Sequence, residues 1–177
     1  MRQLLLISIL LIGSTRMYAS HAAGMDISYE YISPAPGMNA DIYKVTVKFY
    51  RDCGGNTGVY YDGELNFSSS CSSGSTILNQ IGGAININPN CPTLCNGGST
   101  IGIEEYTFEG LITLVHCSDW TLSWCESTRN AAINTINLPD DQDLCIQATL
   151  NNTGGAINNS PKFSEYPTPV ILSLIHI

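Results

Sequence analysis

Apolar and polar positions alternate one for one along much of the chain. In DIYKVTVKFYR, Tyr43, Val45, Val47 and Phe49 alternate with Lys44, Thr46 and Lys48, giving one face for a core and one for water. MDISYEYI precedes this run. SPAPGMN between them predicts a turn, since its prolines and Gly37 end one extended run before the next. Tyr106, Phe108 and Leu111-Ile112-Thr113-Leu114 predict a further strand, with Gly110 as a candidate break. In DWTLSW, Trp120, Leu122 and Trp124 share one face and Thr121 and Ser123 the other, and LCIQATLNN repeats the style. β-branched and aromatic residues in these runs fit a pleated, half-buried surface better than a helix.

Gly, Ser and Asn segments separate the runs: CGGNTGVYYDG, SSSCSSGS, IGGAININPNCP and CNGGST. No window carries a capped amphipathic helix of ordinary length, and STRNAAINTI supports a turn or two at most. Short strands joined by Gly-rich turns predict an all-β fold, an Ig-like antiparallel β-sandwich stabilised by disulfides.

The two ends of the chain read differently. MRQLLLISILLIGSTRMYASHAAG has Arg2 as a short positive region, an apolar stretch from Leu4 to Ile12, and small residues at Ala19, Ser20 and Ala22. This is the pattern of a secretory signal peptide, placed over residues 1–19. Its apolar core is shorter than the roughly 20 residues a spanning helix needs, so no membrane span is expected. The β-sandwich domain is placed over 20–157. In NNSPKFSEYPTPVI, Pro161, Pro167 and Pro169 suit an extended linker over 158–171, leading to a further domain. The final Leu172–Ile177, LSLIHI, back-translates to CTG TCT CTT ATA CAC ATC, the transposon end used to build sequencing libraries. It is expected to be translated adapter, with the natural protein continuing past Ile171.

Export gives the cysteines a meaning. Cys53, Cys71, Cys91, Cys95, Cys117, Cys125 and Cys145 all follow the leader, and an oxidising compartment turns such a set into disulfides. Seven is odd, so one cysteine lacks a partner here, pairs with another chain or stays free. Cys91–Cys95 is the most local candidate pair. A zinc site from CPTLC with Cys117 and Cys125 has acceptable spacing, but export and the scatter of the other cysteines favour disulfides, so no metal is expected there.

The chain has 7 Lys and Arg against 15 Asp and Glu. Two of the seven cations, Arg2 and Arg16, fall in the leader, leaving five and a formal charge of −10. Such a surface repels phosphate backbones and excludes nucleic-acid binding. Hydrolytic chemistry is poorly supplied. His116 is the one histidine expected inside the fold, its neighbour Cys117 points to the opposite face of a strand, and no G-x-S-x-G occurs. Glu104 and Glu105 likewise split between faces. Asp140, Asp141 and Asp143 in LPDDQDLC are candidate calcium ligands, yet the segment lacks the spacing and glycine of an EF-hand loop, and a solvated acidic loop is expected. Arg51 and Arg129, each near a cysteine, are expected to tie loop carbonyls or a carboxylate structurally.

The segments SHAAGMDISYEYI, YKVTVKFYRDC, IGIEEYTFEGLITL, DWTLSW, TRNAAI and NNSPKFSEYPTPVI, in that order, resemble a known module. It is the N-terminal β-domain of large exported surface proteins of the Bacteroidetes. These are often labelled gliding-motility-associated, and carry PKD- or Ig-like repeats and a C-terminal sorting domain read by type IX secretion. The most specific pieces are Tyr50-Arg51-Asp52-Cys53, Thr128-Arg129-Asn130-Ala131 and Ser160-Pro161-Lys162-Phe163, which mark Arg51, Asp52, Arg129 and Asn130 as a structural motif. The chain departs from the family in having Ala23-Gly24 where Gly-Gly is common, and Cys125 alone where paired cysteines precede the Arg-Asn. The family also places a cysteine just after its Pro-x-Pro-Val-Ile stretch, which an adapter would have replaced.

The resemblance implies no catalytic residues. The expectation is a non-catalytic N-terminal module of a secreted or cell-surface multidomain protein, serving adhesion or surface architecture. Its partners would be other domains of the same chain and a surface glycan or protein, with calcium the one cofactor to consider. The alternative is a carbohydrate-binding accessory domain of a secreted hydrolase, with two Trp and nine Tyr as stacking platforms. Against it, Trp120 and Trp124 share a face with Leu122, which predicts core.

Overall fold

Strand β2 (Ala40–Asp52) shows how alternation builds the interior. Tyr43, Val45 and Val47 are fully buried, while Lys44, Thr46 and Lys48 between them stay partly in solvent. The computed structural model describes residues 22–54, 62–87, 92–100, 102–127, 129–130 and 133–162. The expected leader, Cys91, the linker beyond Lys162 and Leu172–Ile177 lie outside these residues.

On one side β2 pairs antiparallel with β1 (Ala22–Pro34), and on the other with β5 (Ile103–Val115) along its whole length. The chain turns from β1 to β2 through Ala35–Asn39, where the Ala35 N–H donates to the Ala40 carbonyl at 2.8 Å and Gly37 takes φ 72°. The remaining strands are β3 (Asp62–Ser68), β4 (Ser73–Asn86), β6 (Trp120–Glu126) and β7 (Leu144–Leu150). All neighbours are antiparallel, in the order β1-β2-β5-β4-β3-β6-β7. This is the Greek-key connectivity of an immunoglobulin-type sandwich: β1, β2, β5 and β4 form one layer, β3, β6 and β7 the other, and the β3–β4 pair joins them at a corner.

Two contacts show that the sheet folds over on itself. Phe108 on β5 and Trp124 on β6 have ring centroids 5.2 Å apart, although β4 and β3 lie between those strands in the sheet. The hydroxyl of Tyr29 on β1 donates to the Thr149 carbonyl on β7 at 3.0 Å, so the two outermost strands meet. Between the layers lie Ile27, Tyr29, Leu65, Leu78, Phe108, Ile112, Trp120, Leu122 and Trp124. The all-β, Ig-like antiparallel sandwich expected from the alternation is therefore the fold observed.

Three details correct the sequence reading. Gly110 does not break β5, which runs unbroken from Ile103 to Val115. Gly110 instead leaves room on the core face for the Leu78 side chain. Parts of SSSCSSGS and IGGAININPNCP, read as connections, form β4, whose register shifts between Ile81 and Ile85 around Gly82 at φ 70°. The end of CGGNTGVYYDG enters β3 at Asp62. Among the described residues there is no α-helix, only single 3-10 turns at Leu94–Asn96, Pro139–Asp141 and Thr153–Gly155.

After β7 the chain comes back along the free edge of β1. The Tyr29 N–H donates to Ser160 Oγ at 2.9 Å, the Ser160 N–H to the Tyr29 carbonyl at 3.0 Å, and the Tyr31 N–H to Asn159 Oδ1 at 2.7 Å. These bonds occupy an edge that would otherwise present unpaired backbone groups.

Candidate functional site

Polar side chains concentrate at the two ends of the sandwich. At one end, Arg51 stands on the core phase of β2, between Ala22 of β1 and Glu104 of β5 in register. Its Nε lies 3.3 Å from Glu104 Oε1, which also accepts the Tyr106 hydroxyl at 2.6 Å. Next along the strand, Asp52 accepts the Gly54 N–H at 2.8 Å and the Asn130 side-chain amide at 3.3 Å. The Asn130 N–H donates to the Ala22 carbonyl at 3.2 Å. Arg51, Asp52 and Asn130 thus meet around the start of β1. Arg129 bridges to Ala22 along the backbone but bonds the neighbouring loop: its N–H donates to the Pro139 and Gln142 carbonyls at 3.2 and 3.0 Å, and its Nε to the Asp143 carbonyl at 2.9 Å.

That last set bears on the calcium candidates. Three carbonyl oxygens of the Pro139–Asp143 loop accept from Arg129, and the Asp141 and Asp143 side chains are exposed. Glu104 and Glu105 do split between faces. Glu105, buried on the outer side of β5, sits 3.2 Å from Lys48 Nζ.

The other end is built on Asp41, Tyr43, His116 and Asn152. Asp41 is buried, with Oδ2 3.2 Å from His116 Nε2 and 3.4 Å from the Asn152 side-chain amide that donates to it. Asn152 is completely enclosed and clamps three segments. It also donates to the Leu114 carbonyl at 3.3 Å, and it accepts the Cys117 N–H at 2.9 Å. The Tyr43 hydroxyl is buried beside this group, and its pKa is pushed up to about 12, first by burial and then by the Asp41 charge.

Cys117 is bonded to Cys71, so its sulfur is not a thiol beside His116; the histidine turns to Asp41 instead. The Cys117 sulfur lies 3.0 Å from Asp119 Oδ1, and Asp119 in turn accepts the Ser70 N–H and hydroxyl. Cys71, Cys117 and Asp119 are the grouped metal-type ligands among the described residues, but two of the three are spent on the disulfide.

The other bridges are Cys53–Cys95 and Cys125–Cys145. Cys95 therefore pairs with Cys53 and not with Cys91, contrary to the local pairing expected from the sequence: the 3-10 turn carrying Cys95 lies against the end of β2, where the Cys53 N–H bonds the Gly102 carbonyl. Cys95, Cys117 and Cys125 go to three different bridges, which dissolves the zinc set considered above. The Cys125–Cys145 pair left a trace in the sequence, since each neighbours inward-facing residues and so points outward on adjacent strands. The Asp41–His116–Asn152 cluster left none, because its members converge only through the turns that follow β5 and β7.

Trp120 and Trp124 are both 1% exposed, so neither presents a ring face to a ligand. No helix among the described residues is long and apolar enough to cross a membrane. Three disulfides assign the folded domain to an oxidising, non-cytoplasmic compartment. Comparison with protein-family models, with curated proteins and with solved structures finds no match.

Proposed function

We propose that this chain is a non-catalytic module of a secreted or cell-surface multidomain protein, used in adhesion or surface architecture. One observation carries the reading: the side chains best suited to chemistry are engaged in holding the fold. His116, the only histidine among the described residues, is tied to a buried carboxylate, and six cysteines are closed in pairs. A nucleophile or general base must be able to reach a substrate proton or carbon; His116 Nε2 is turned to Asp41, and the six sulfurs are held as disulfides and not as thiols. The resemblance to Bacteroidetes surface modules and the leader-like start support the same reading. A sugar-stacking role would have to rest on aromatic rings other than Trp120 and Trp124.

The test is localisation together with turnover. Protease treatment of intact cells should remove the protein from their surface, or it should be recovered from the medium. The purified chain should leave ester, peptide and glycoside substrates unchanged. Retention in the cytoplasm would contradict the location, and turnover of any of these substrates would contradict the non-catalytic role.

A further inference from the structure

Cys125 and Cys145 stand directly opposite each other on β6 and β7. Both are exposed on the outer face, while Leu122 and Trp124 fill the core from the other face of β6. The next register pair on their side, Ser123 and Gln147, carries no charge.

The other two bridges are set differently. Cys71 is exposed, but its partner Cys117 is buried with a carboxylate oxygen 3.0 Å from the sulfur. A thiolate attacking Cys71 would have to expel Cys117 as an anion at a buried position beside the exposed Asp119 carboxylate, and burial and like charge both disfavour that leaving group. In Cys53–Cys95 both residues are half-buried, and the Cys95 sulfur packs so closely on Gly102 that a Cβ there would collide with it.

We propose that the Cys125–Cys145 bond is a thiol-exchange site, at which an external monothiol forms a mixed disulfide while the sandwich stays folded. The monothiol's thiolate attacks one exposed sulfur. A new S–S bond forms as the Cys125–Cys145 bond breaks, and the electron pair leaves on the other cysteine, which takes a proton from water. That step is an exchange without net redox change. A second thiolate then releases the first as the symmetrical disulfide and leaves both cysteines reduced, the two electrons coming from the two monothiols. The fold has no need of this bond in the native state. The β6–β7 ladder, from Trp120 opposite Leu150 to Glu126 opposite Leu144, and the buried Trp124 hold the hairpin in place.

The experiment uses the folded full chain and glutathione at neutral pH, followed by acid quench, alkylation and peptide mass mapping. Far-UV circular dichroism and tryptophan fluorescence are followed alongside. Adducts should appear at Cys125 or Cys145 at least about tenfold faster than at Cys71 or Cys117, as expected when leaving-group and access differences act together, with both spectra unchanged. First reaction at either of the other bridges would overturn the proposal, as would opening that occurs only together with loss of the tryptophan signal. The C125S/C145S double variant should take up no glutathione over the same interval; uptake at the wild-type rate would also overturn it. The wild-type mapping stands by itself if that variant does not fold.

Discussion

Gly63 on β3 faces the indole of Trp124, and a Cβ at that position would fall inside the ring. Overpacking of this kind costs about 1–3 kcal/mol, so Gly63→Ala should lower unfolding stability by that amount in a denaturant titration. A variant as stable as wild type would mean that the indole is not where the structure has it. The other indole-linked residue is Glu126, which accepts the Trp124 Nε1–H at 3.2 Å. Burial raises its pKa above the ordinary 4.5, and the indole bond only partly offsets that. A raised folded pKa makes stability highest below the ordinary value, and the contribution is lost as pH climbs from 4.5 through the raised value. Glu126→Gln keeps the acceptor and removes the charge. It should therefore match wild type at low pH and become the more stable protein as pH rises to neutrality; a constant difference across that range would contradict the assignment. Neither residue was visible beforehand. The Trp pair could be assigned to the core by its phase with Leu122, but Gly63 ends CGGNTGVYYDG, which reads as a connection between strands.

β1, β2, β5, β6 and β7 were legible from their alternation, whereas β3, where it amounts to Leu65 and Phe67 beside a Gly-rich connection, and β4 were not. β2 and β6 could be read because each places its large buried apolar residues on one phase. β4 escaped because Leu78 is its one buried side chain, while Ile77, Ile81 and Ile85 are exposed on the outer phase and Gly82-Gly83 interrupts the register. Its place is fixed by its neighbours: β5 on one edge and β3 on the other supply the pairing that its own pattern does not announce. The C-terminal segment was legible only as a proline-rich stretch. Its described part, Asn158–Lys162, supplies side-chain acceptors to β1 and pairs Lys162 with Glu30 at 3.1 Å. The Ser160 hydroxyl accepts the Tyr29 N–H and donates to the Tyr29 carbonyl at 3.2 Å, so its removal leaves that N–H without its acceptor, a loss of about 1 kcal/mol. In Ser160→Ala, the Tyr29 amide should exchange hydrogen roughly five- to tenfold faster than in wild type, with the β2–β5 amides unchanged. An unaltered Tyr29 amide would show that the segment does not cover this edge.

At the scale of the molecule, the sandwich has two polar ends and three sulfur bridges placed at different heights. Cys53–Cys95 and Cys71–Cys117 span 42 and 46 residues of sequence, and Cys125–Cys145 spans 20. Closing loops of these lengths restricts the unfolded chain by roughly 3–4 kcal/mol per bridge in the chain-entropy account. This compensates for Gly-, Ser- and Asn-rich connections that add little apolar burial. Sequence could supply the compartment and the presence of bridges but not their pairing, since partners such as Cys53 and Cys95 are brought together only when β2 and the 3-10 turn pack. The most direct test is peptide mass mapping of natively purified, unreduced protein, alkylated before digestion. The expected result is three linked peptide pairs, Cys53–Cys95, Cys71–Cys117 and Cys125–Cys145, with none of these six cysteines alkylated. Alkylation of most of them, a different pairing, or a metal ion held by their thiolates would contradict a domain that is held in shape by sulfur cross-links.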